Sequence, residues 1–400
     1  MIRKILTFGH LPKHIGGQQQ QGLAAVMWAT ASHIHSCVTG YDVIFCATDV
    51  KKPFAKINGI QVIGWTRISM ITSILFSPFK FILLFKMLAP LCQKYELPII
   101  RHVFKAYHLQ QTIFKRNPDF IHLHTCEAIL YIESKIVEPS KTFVTIHGVY
   151  GQKGPHNFTI MEASLNRYNV MFIAFVTEKI SKIWCDFHGS PASAVIVTPN
   201  TLDRSHFYLT SRSDYIPTPA LNKEVYRLIT VGSLTDNKGQ ERVLAALKII
   251  KNMELGFDIE YTLVGADKIN LIDKYFSNGD AIEINVKHLP YLSPDELRIE
   301  ISCNDYMIMP SKNEGYGLVF IESIACGVPV VLPQNLAICG EPGVISSENA
   351  VLLDNYSIEE IVKFLTCIQS FNFNRSEVSK SLNSFSWKDV ALKYSSNLPV

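Results

Sequence analysis

The stretch Ser311-Lys312-Asn313-Glu314-Gly315-Tyr316-Gly317-Leu318-Val319-Phe320-Ile321-Glu322 follows a short β-type run, Tyr306–Met309, and opens an apolar helical segment reaching Cys326. Two glycines at a strand-to-helix turn let the backbone approach a ligand closely. The amides of Gly317, Leu318 and Val319 would be unspent at the positive end of the helix, which suits an anion. Glu314 lies in the loop and Glu322 about one turn into the helix. That offset can aim two carboxylates at one site, where each accepts hydrogen bonds from hydroxyl groups. A diphosphate flanked by sugar hydroxyls matches both features.

Outward from this stretch, short β-type runs alternate with helix-length segments, the pattern of parallel α/β sheets. Expected strands in the first half are Ile5–Phe8, Val43–Ala47, Phe120–His124, Thr142–Ile146, Met171–Val176 and Ala194–Val197. Those of the second half are Tyr226–Val231, Ile259–Val264, Ile282–Val286, Tyr306–Met309 and Pro329–Leu332, with helices over Gln240–Ile250 and Pro294–Cys303. Four hundred residues exceed one ordinary hydrophobic core. The division expected is a first domain over 1–198, a linker over 199–224 rich in Pro, Ser, Thr and Asp, a second domain over 225–384, and a last helix over 385–400.

Bulk properties narrow the partners. The chain is 48% apolar and 18% charged, which argues against disorder. A net charge of +3 with no block of like charges speaks against nucleic acid and allows an anionic small ligand. Nine scattered cysteines without a C-x-x-C pair read as reduced thiols of a cytoplasmic protein.

Three further segments carry chemistry. Val231-Gly232-Ser233-Leu234-Thr235-Asp236-Asn237-Lys238-Gly239 joins a strand to a helix, and Lys238 is placed to hold a diphosphate as a point charge. Gly16 and Gly17 lie between the first strand and the first long helix, where the backbone can approach a phosphate or acceptor. His147 ends a strand, where doubly wound sheets place ligand sites. His122 and His124 share one sheet face without a clear third ligand, so no metal site is expected.

Glu314-x7-Glu322 followed by Ala325-Cys326-Gly327-Val328-Pro329-Val330 resembles the signature of glycosyltransferase family 4, retaining enzymes of the GT-B fold. The resemblance implies two Rossmann-like domains facing each other across a central cleft, the acceptor bound mainly by the first and the donor mainly by the second. It assigns the donor to Lys238, Ser233, Gly17, Gly315, Tyr316, Gly317, Leu318, Val319, Glu314 and Glu322. The acceptor falls to Gly16, Gly17 and His147, and the reacting centre to His147 and Glu314. Glu322 would hold the ribose, and Glu314 the sugar hydroxyls. The family usually has arginine where Ser233 stands, which leaves Lys238 as the named cation. Pro199-Asn200-Thr201-Leu202-Asp203, Leu289-Pro290-Tyr291-Leu292 and Phe385-Ser386-Trp387 are weaker echoes, the last marking a helix that returns to the first domain in this fold.

No two aspartates are separated by one residue, so the Asp-x-Asp metal–diphosphate motif is missing and metal-independent transfer is expected. No cofactor is implied beyond a nucleotide-sugar co-substrate, with a UDP-sugar as the expected donor. The acceptor would be a glycan or lipid-linked glycan of a bacterial surface-polysaccharide pathway. The apolar segment 71–91 contains Pro78, Lys80 and Lys86, which disfavour a spanning helix. It reads either as an amphipathic helix against the inner face of the cytoplasmic membrane or as a half-buried helix with snorkelling lysines. Two other functions stay open: a sugar-nucleotide epimerase of related fold, and a donor-binding scaffold impaired by Ser233.

Overall fold

Runs rich in Ile, Val and Phe assemble as strands buried on both faces, because helices cover the sheets from either side. The computed structural model describes residues 2–17, 22–48, 50, 54–66, 72, 75, 77–148, 156–202, 204–210, 224–277, 285–382 and 386–399. Chain contacts define two units, Met1–Asn200 with Phe385–Val400, and Thr201–Ser384.

The first unit runs β1 (Arg3–Gly9), α1 (Gly22–Cys37), β2 (Tyr41–Ala47), β3 (Phe54–Ile57), β4 (Ile60–Ile63), α2 (Pro78–Lys94), α3 (Ile99–Arg116) and β5 (Phe120–His124). It continues with α4 (Ala128–Glu133), β6 (Thr142–Ile146), α5 (His156–Asn166), β7 (Phe172–Phe175), α6 (Glu178–His188) and β8 (Ala194–Val197). The sheet order is β3-β4-β2-β1-β5-β6-β7-β8, parallel except for the β3–β4 pair. Every residue of β5 and β6 is buried. The strand order reverses at β1, which has β2 on one side and β5 on the other. Loops leaving β1 and β5 therefore diverge and open a crevice at the carboxyl ends of the strands.

The second unit runs β9 (Val225–Val231), α7 (Gln240–Lys251), β10 (Asp258–Val264), α8 (Leu271–Ser277), β11 (Asn285–Leu289), α9 (Pro294–Ser302) and β12 (Tyr306–Ile308). Then come α10 (Leu318–Ala325), β13 (Val330–Pro333), β14 (Ala350–Leu353), α11 (Ile358–Thr366) and α12 (Arg375–Ser381). Its all-parallel sheet has the order β11-β10-β9-β12-β13-β14, with the reversal between β9 and β12. Leu228, Val243, Leu247, Ile308, Ile361 and Phe364 form the centre of the core on one face. Ser293 and Glu296 close a capping box at the start of α9, as Ser-Pro-Asp-Glu predicts.

The last helix, α13 (Trp387–Ser395), belongs to the first unit. Ser386 and Asp389 form its capping box, and Trp387 stacks on His33 of α1 with ring centroids 5.7 Å apart. Tyr394 reaches the sheet, where its hydroxyl lies 2.8 Å from Thr145 Oγ1 and accepts from Thr198 Oγ1 at 3.1 Å.

The structure departs from the sequence reading in several places. The hairpin β3–β4 was not expected, although Asn58-Gly59 turns it with φ of 49° and 84°, the conformation such a pair favours. Strand β14 was also missed. Strand β11 begins at Asn285, and 282–284 lie outside the described residues. In the expected linker, Leu202 and Phe207 are buried, while Asp203 and 211–223 lie outside the described residues, as does Phe385. Within segment 71–91, Thr72 and Leu75 are helical, Ser77 is not, and α2 starts at Pro78, so this proline opens a helix and Pro90 is the one inside it. Residues 71, 73, 74 and 76 lie outside the described residues. Among the described residues, no helix is long and apolar enough to cross a membrane.

Candidate functional site

In the second unit the two loops singled out by sequence leave β9 and β12, the strands on either side of the reversal. Their separation of 76 residues along the chain disappears in the fold. Asn237 Nδ2 donates to Asn313 O at 2.9 Å, and Asn237 Oδ1 accepts from Asn313 N at 3.1 Å. Lys312 N donates to Asn237 O at 2.8 Å. Gln240, wholly buried at the start of α7, holds the first loop from within: its Oε1 accepts from Thr235 N and its Nε2 donates to the carbonyls of Gly232 and Ser233.

Lys238 and Glu314 meet in this framework. Lys238 Nζ lies 2.5 Å from Glu314 Oε1, which also accepts from Ser311 Oγ at 2.9 Å. The carboxylate is nearly enclosed, at 9% side-chain exposure, and the lysine is 24% exposed. The cation assigned to a phosphate and the acid assigned to a sugar thus neutralise each other here. Two more cations surround these loops. Arg242 donates to Pro310 O at 2.7 Å, and Lys312 pairs with Asp236 at 2.6 Å.

Gly317 is the N-cap of α10, with φ of 76° and ψ of 61°. A side chain there would be strained, and its Cβ would lie 2.7 Å from the Phe320 ring. Leu318 and Val319 follow as the first residues of α10, half-buried, with amides that helix geometry leaves without an intrahelical acceptor. Gly315 and Glu322 are also half-buried. The Tyr316 side chain is buried, and burial pushes its phenol up. Ser233 contributes a carbonyl bond to Gln240 and brings no charge.

In the first unit, Gly16 closes the short turn Lys13–Ile15 in a left-handed conformation, and Gly17 N donates to Pro12 O at 3.0 Å. A Cβ on Gly17 would stand 1.8 Å from Leu11 O, so the turn itself excludes any side chain. His147 follows β6 at its carboxyl end, and its Nε2 lies 3.0 Å from His124 Nδ1. Burial lowers the His147 imidazole to about 4. His122 lies under His124 with ring centroids 4.1 Å apart, and its Nε2 is 2.8 Å from Thr145 Oγ1. Among the described residues no cluster of three His, Cys, Asp or Glu could hold a metal ion. Sequence reasoning missed Gln240 and Asn237, whose roles rest on contacts made only after folding. It also did not foresee the contact between His124 and His147.

Comparison with known proteins agrees with this geometry. Residues 211–368 match the family Glycosyl transferases group 1. A D-inositol 3-phosphate glycosyltransferase of Paenarthrobacter aurescens is 26% identical over 148 residues, 36% of each chain. The match spans about a third of the length of such curated relatives. A sucrose-phosphate synthase from Thermosynechococcus elongatus superposes with a TM-score of 0.70 at 16% identity, covering 98% of both chains. Anabaena HepE, solved in complex with UDP and glucose, gives 0.66 at 16% identity over 98% of both chains. The fold is that of the GT-B class, built from two Rossmann-like units.

Proposed function

We propose that this chain is a retaining glycosyltransferase that moves a sugar from a nucleotide sugar, a UDP-sugar in the first instance, to a glycan or lipid-linked glycan in bacterial surface-polysaccharide assembly. The observation that carries the reading is the joining of the β9 and β12 loops around Lys238 and Glu314, beside the N-terminus of α10. Anabaena HepE, of the same fold, binds UDP and glucose, which supports the donor class.

In this reading Lys238 and the first amides of α10 stabilise the departing diphosphate. Glu322 holds the ribose, Glu314 the sugar hydroxyls, and His147 is assigned beside the anomeric carbon. Retention follows from the family resemblance, by front-face attack, and catalysis is then chiefly positioning and leaving-group electrostatics. The lack of an Asp-x-Asp pair supports chemistry without a metal.

The acceptor side of the proposal rests on α2. It buries Phe81, Leu84, Leu88 and Cys92 and leaves Phe79, Ile82, Leu83 and Phe85 exposed beside Lys80 and Lys86. An apolar face edged by lysines suits an anionic membrane surface. The proposed location is the cytoplasm, at the inner face of its membrane.

The test is incubation with labelled UDP-, GDP-, ADP- and CMP-sugars, with and without membrane-lipid extracts. Label transferred to a glycan or lipid supports the transferase. An isomer formed from donor alone would identify an epimerase. Nucleotide binding without turnover would identify the impaired scaffold that Ser233 allows.

A further inference from the structure

His124, the last residue of β5, is buried, and its Nδ1 faces Nε2 of His147 at 3.0 Å. The two rings stack with centroids 5.3 Å apart and planes inclined by 26°. His122 packs against His124 with ring centroids 4.1 Å apart. Burial depresses both imidazoles, His147 to about 4 and His124 well below its usual value with nearby imidazoles adding to the effect. At neutral pH each ring therefore carries one N–H, and one ring donates while the other accepts.

The remaining nitrogen decides the direction. His124 Nε2 is buried and has no hydrogen-bond partner among the described residues. Were His147 the donor, His124 would have to keep its own proton on this enclosed Nε2, stranding an N–H. With His124 as donor, Nε2 holds only a lone pair. Stranded buried N–H groups are the rarer of the two in folded proteins.

We propose that His124 is a positioning residue whose Nδ1–H donates to His147 Nε2, holding His147 as the Nδ1–H tautomer. His147 then presents a neutral N–H to a ligand oxygen, a hydroxyl or a phosphoryl group, and cannot act as a base through either nitrogen. The tautomer stands on the geometry of the first unit alone; its use on a sugar donor rests on the function proposed above.

The experiment is long-range proton–nitrogen NMR of the full chain with 15N-labelled histidine at pH 7.5. The wild type is expected to show His147 protonated at Nδ1. His124→Phe should convert it to the Nε2–H form that free imidazole prefers. His124→Asn, whose amide N–H2 stands in place of the ring Nδ1–H, should retain Nδ1–H. A wild-type His147 protonated at Nε2, or at both nitrogens, overturns the proposal, and so does a tautomer unaffected by His124→Phe. The wild-type spectrum decides even if a variant fails to fold. In the transfer assay, His124→Phe should lower kcat/KM about tenfold, the scale of one lost hydrogen bond. It should add little to His147→Phe, and His124→Asn should recover most of the loss. The expected tautomer without transfer from any donor would refute the functional reading and leave this one standing.

Discussion

Lys238 and Glu314 form an ion pair of 2.5 Å between loops that are adjacent only because β9 and β12 are neighbours in the sheet. The pair is largely shielded from solvent, so its attraction exceeds that of a surface pair. It holds the ammonium on Glu314 and so opposes the arrival of a phosphate, which must take Glu314's place at the lysine. Glu314→Gln should therefore tighten binding of a bare nucleoside diphosphate by about threefold to tenfold, while reducing the gain in affinity that the sugar brings. Lys238→Met should weaken both ligands at least about tenfold, the scale of a charged hydrogen bond. Calorimetric titration at low and high salt checks this. A nucleoside diphosphate that binds Glu314→Gln more weakly than wild type would contradict the account of the pair.

Gly317→Ala places a Cβ in a left-handed conformation and against the Phe320 ring. The expected cost is about 1–3 kcal/mol in the stability of the second unit, with a tilt of the α10 N-terminus. Urea unfolding and donor titration together should show both effects. A variant as stable as wild type would show that the turn can relax.

Helix α2 supplies a prediction of location. Replacing Phe79 and Leu83 by serine removes two exposed apolar side chains without disturbing the buried stripe of Phe81, Leu84, Leu88 and Cys92. Co-sedimentation with anionic vesicles should fall strongly, and more salt should weaken the wild type as well. Unchanged sedimentation would leave the helix as an ordinary half-buried element.

Acid should weaken the first unit. His102, His108 and His147 are each lowered to about 4, mainly by burial, and His122 and His124 lie well below their usual value for the same reason. The unfolded chain binds protons at these positions near pH 6.5, and the folded chain does not. Stability is therefore whole above pH 6.5 and falls as the pH drops from there toward 4, by up to about 1.4 kcal/mol per pH unit for each histidine. Unfolding of the first unit, followed by its tryptophans Trp28, Trp65, Trp184 and Trp387, should show this slope. His108→Asn should reduce it.

Much of the fold was legible because the strands carry continuous apolar runs. Phe120–His124, Thr142–Ile146 and Ala194–Val197 were placed to the residue. The β3–β4 hairpin escaped because Phe54-Ala55-Lys56-Ile57 is short and only weakly alternating, although Asn58-Gly59 announced the turn. In the site, the residue types of Glu314, Gly317 and Lys238 could be read from local chemistry. Their pairing could not, since it depends on which strands become neighbours. Gln240 and His124 were invisible as positioning groups because a buried amide and a buried imidazole acquire direction only from their partners.

The most direct test of a nucleotide sugar held by the second unit is a binding comparison of wild type, Glu322→Ala and Lys238→Met against a panel of UDP-, GDP-, ADP- and CMP-sugars. Lys363→Met, a substitution on the exposed side of α11, serves as the control. One donor is predicted to bind the wild type saturably and to raise its unfolding free energy by about 2.7 kcal/mol at a hundredfold excess over Kd. Both site variants should lose most of that response, and the control should keep it. No response to any donor, or equal responses in wild type and both site variants, would contradict the assignment.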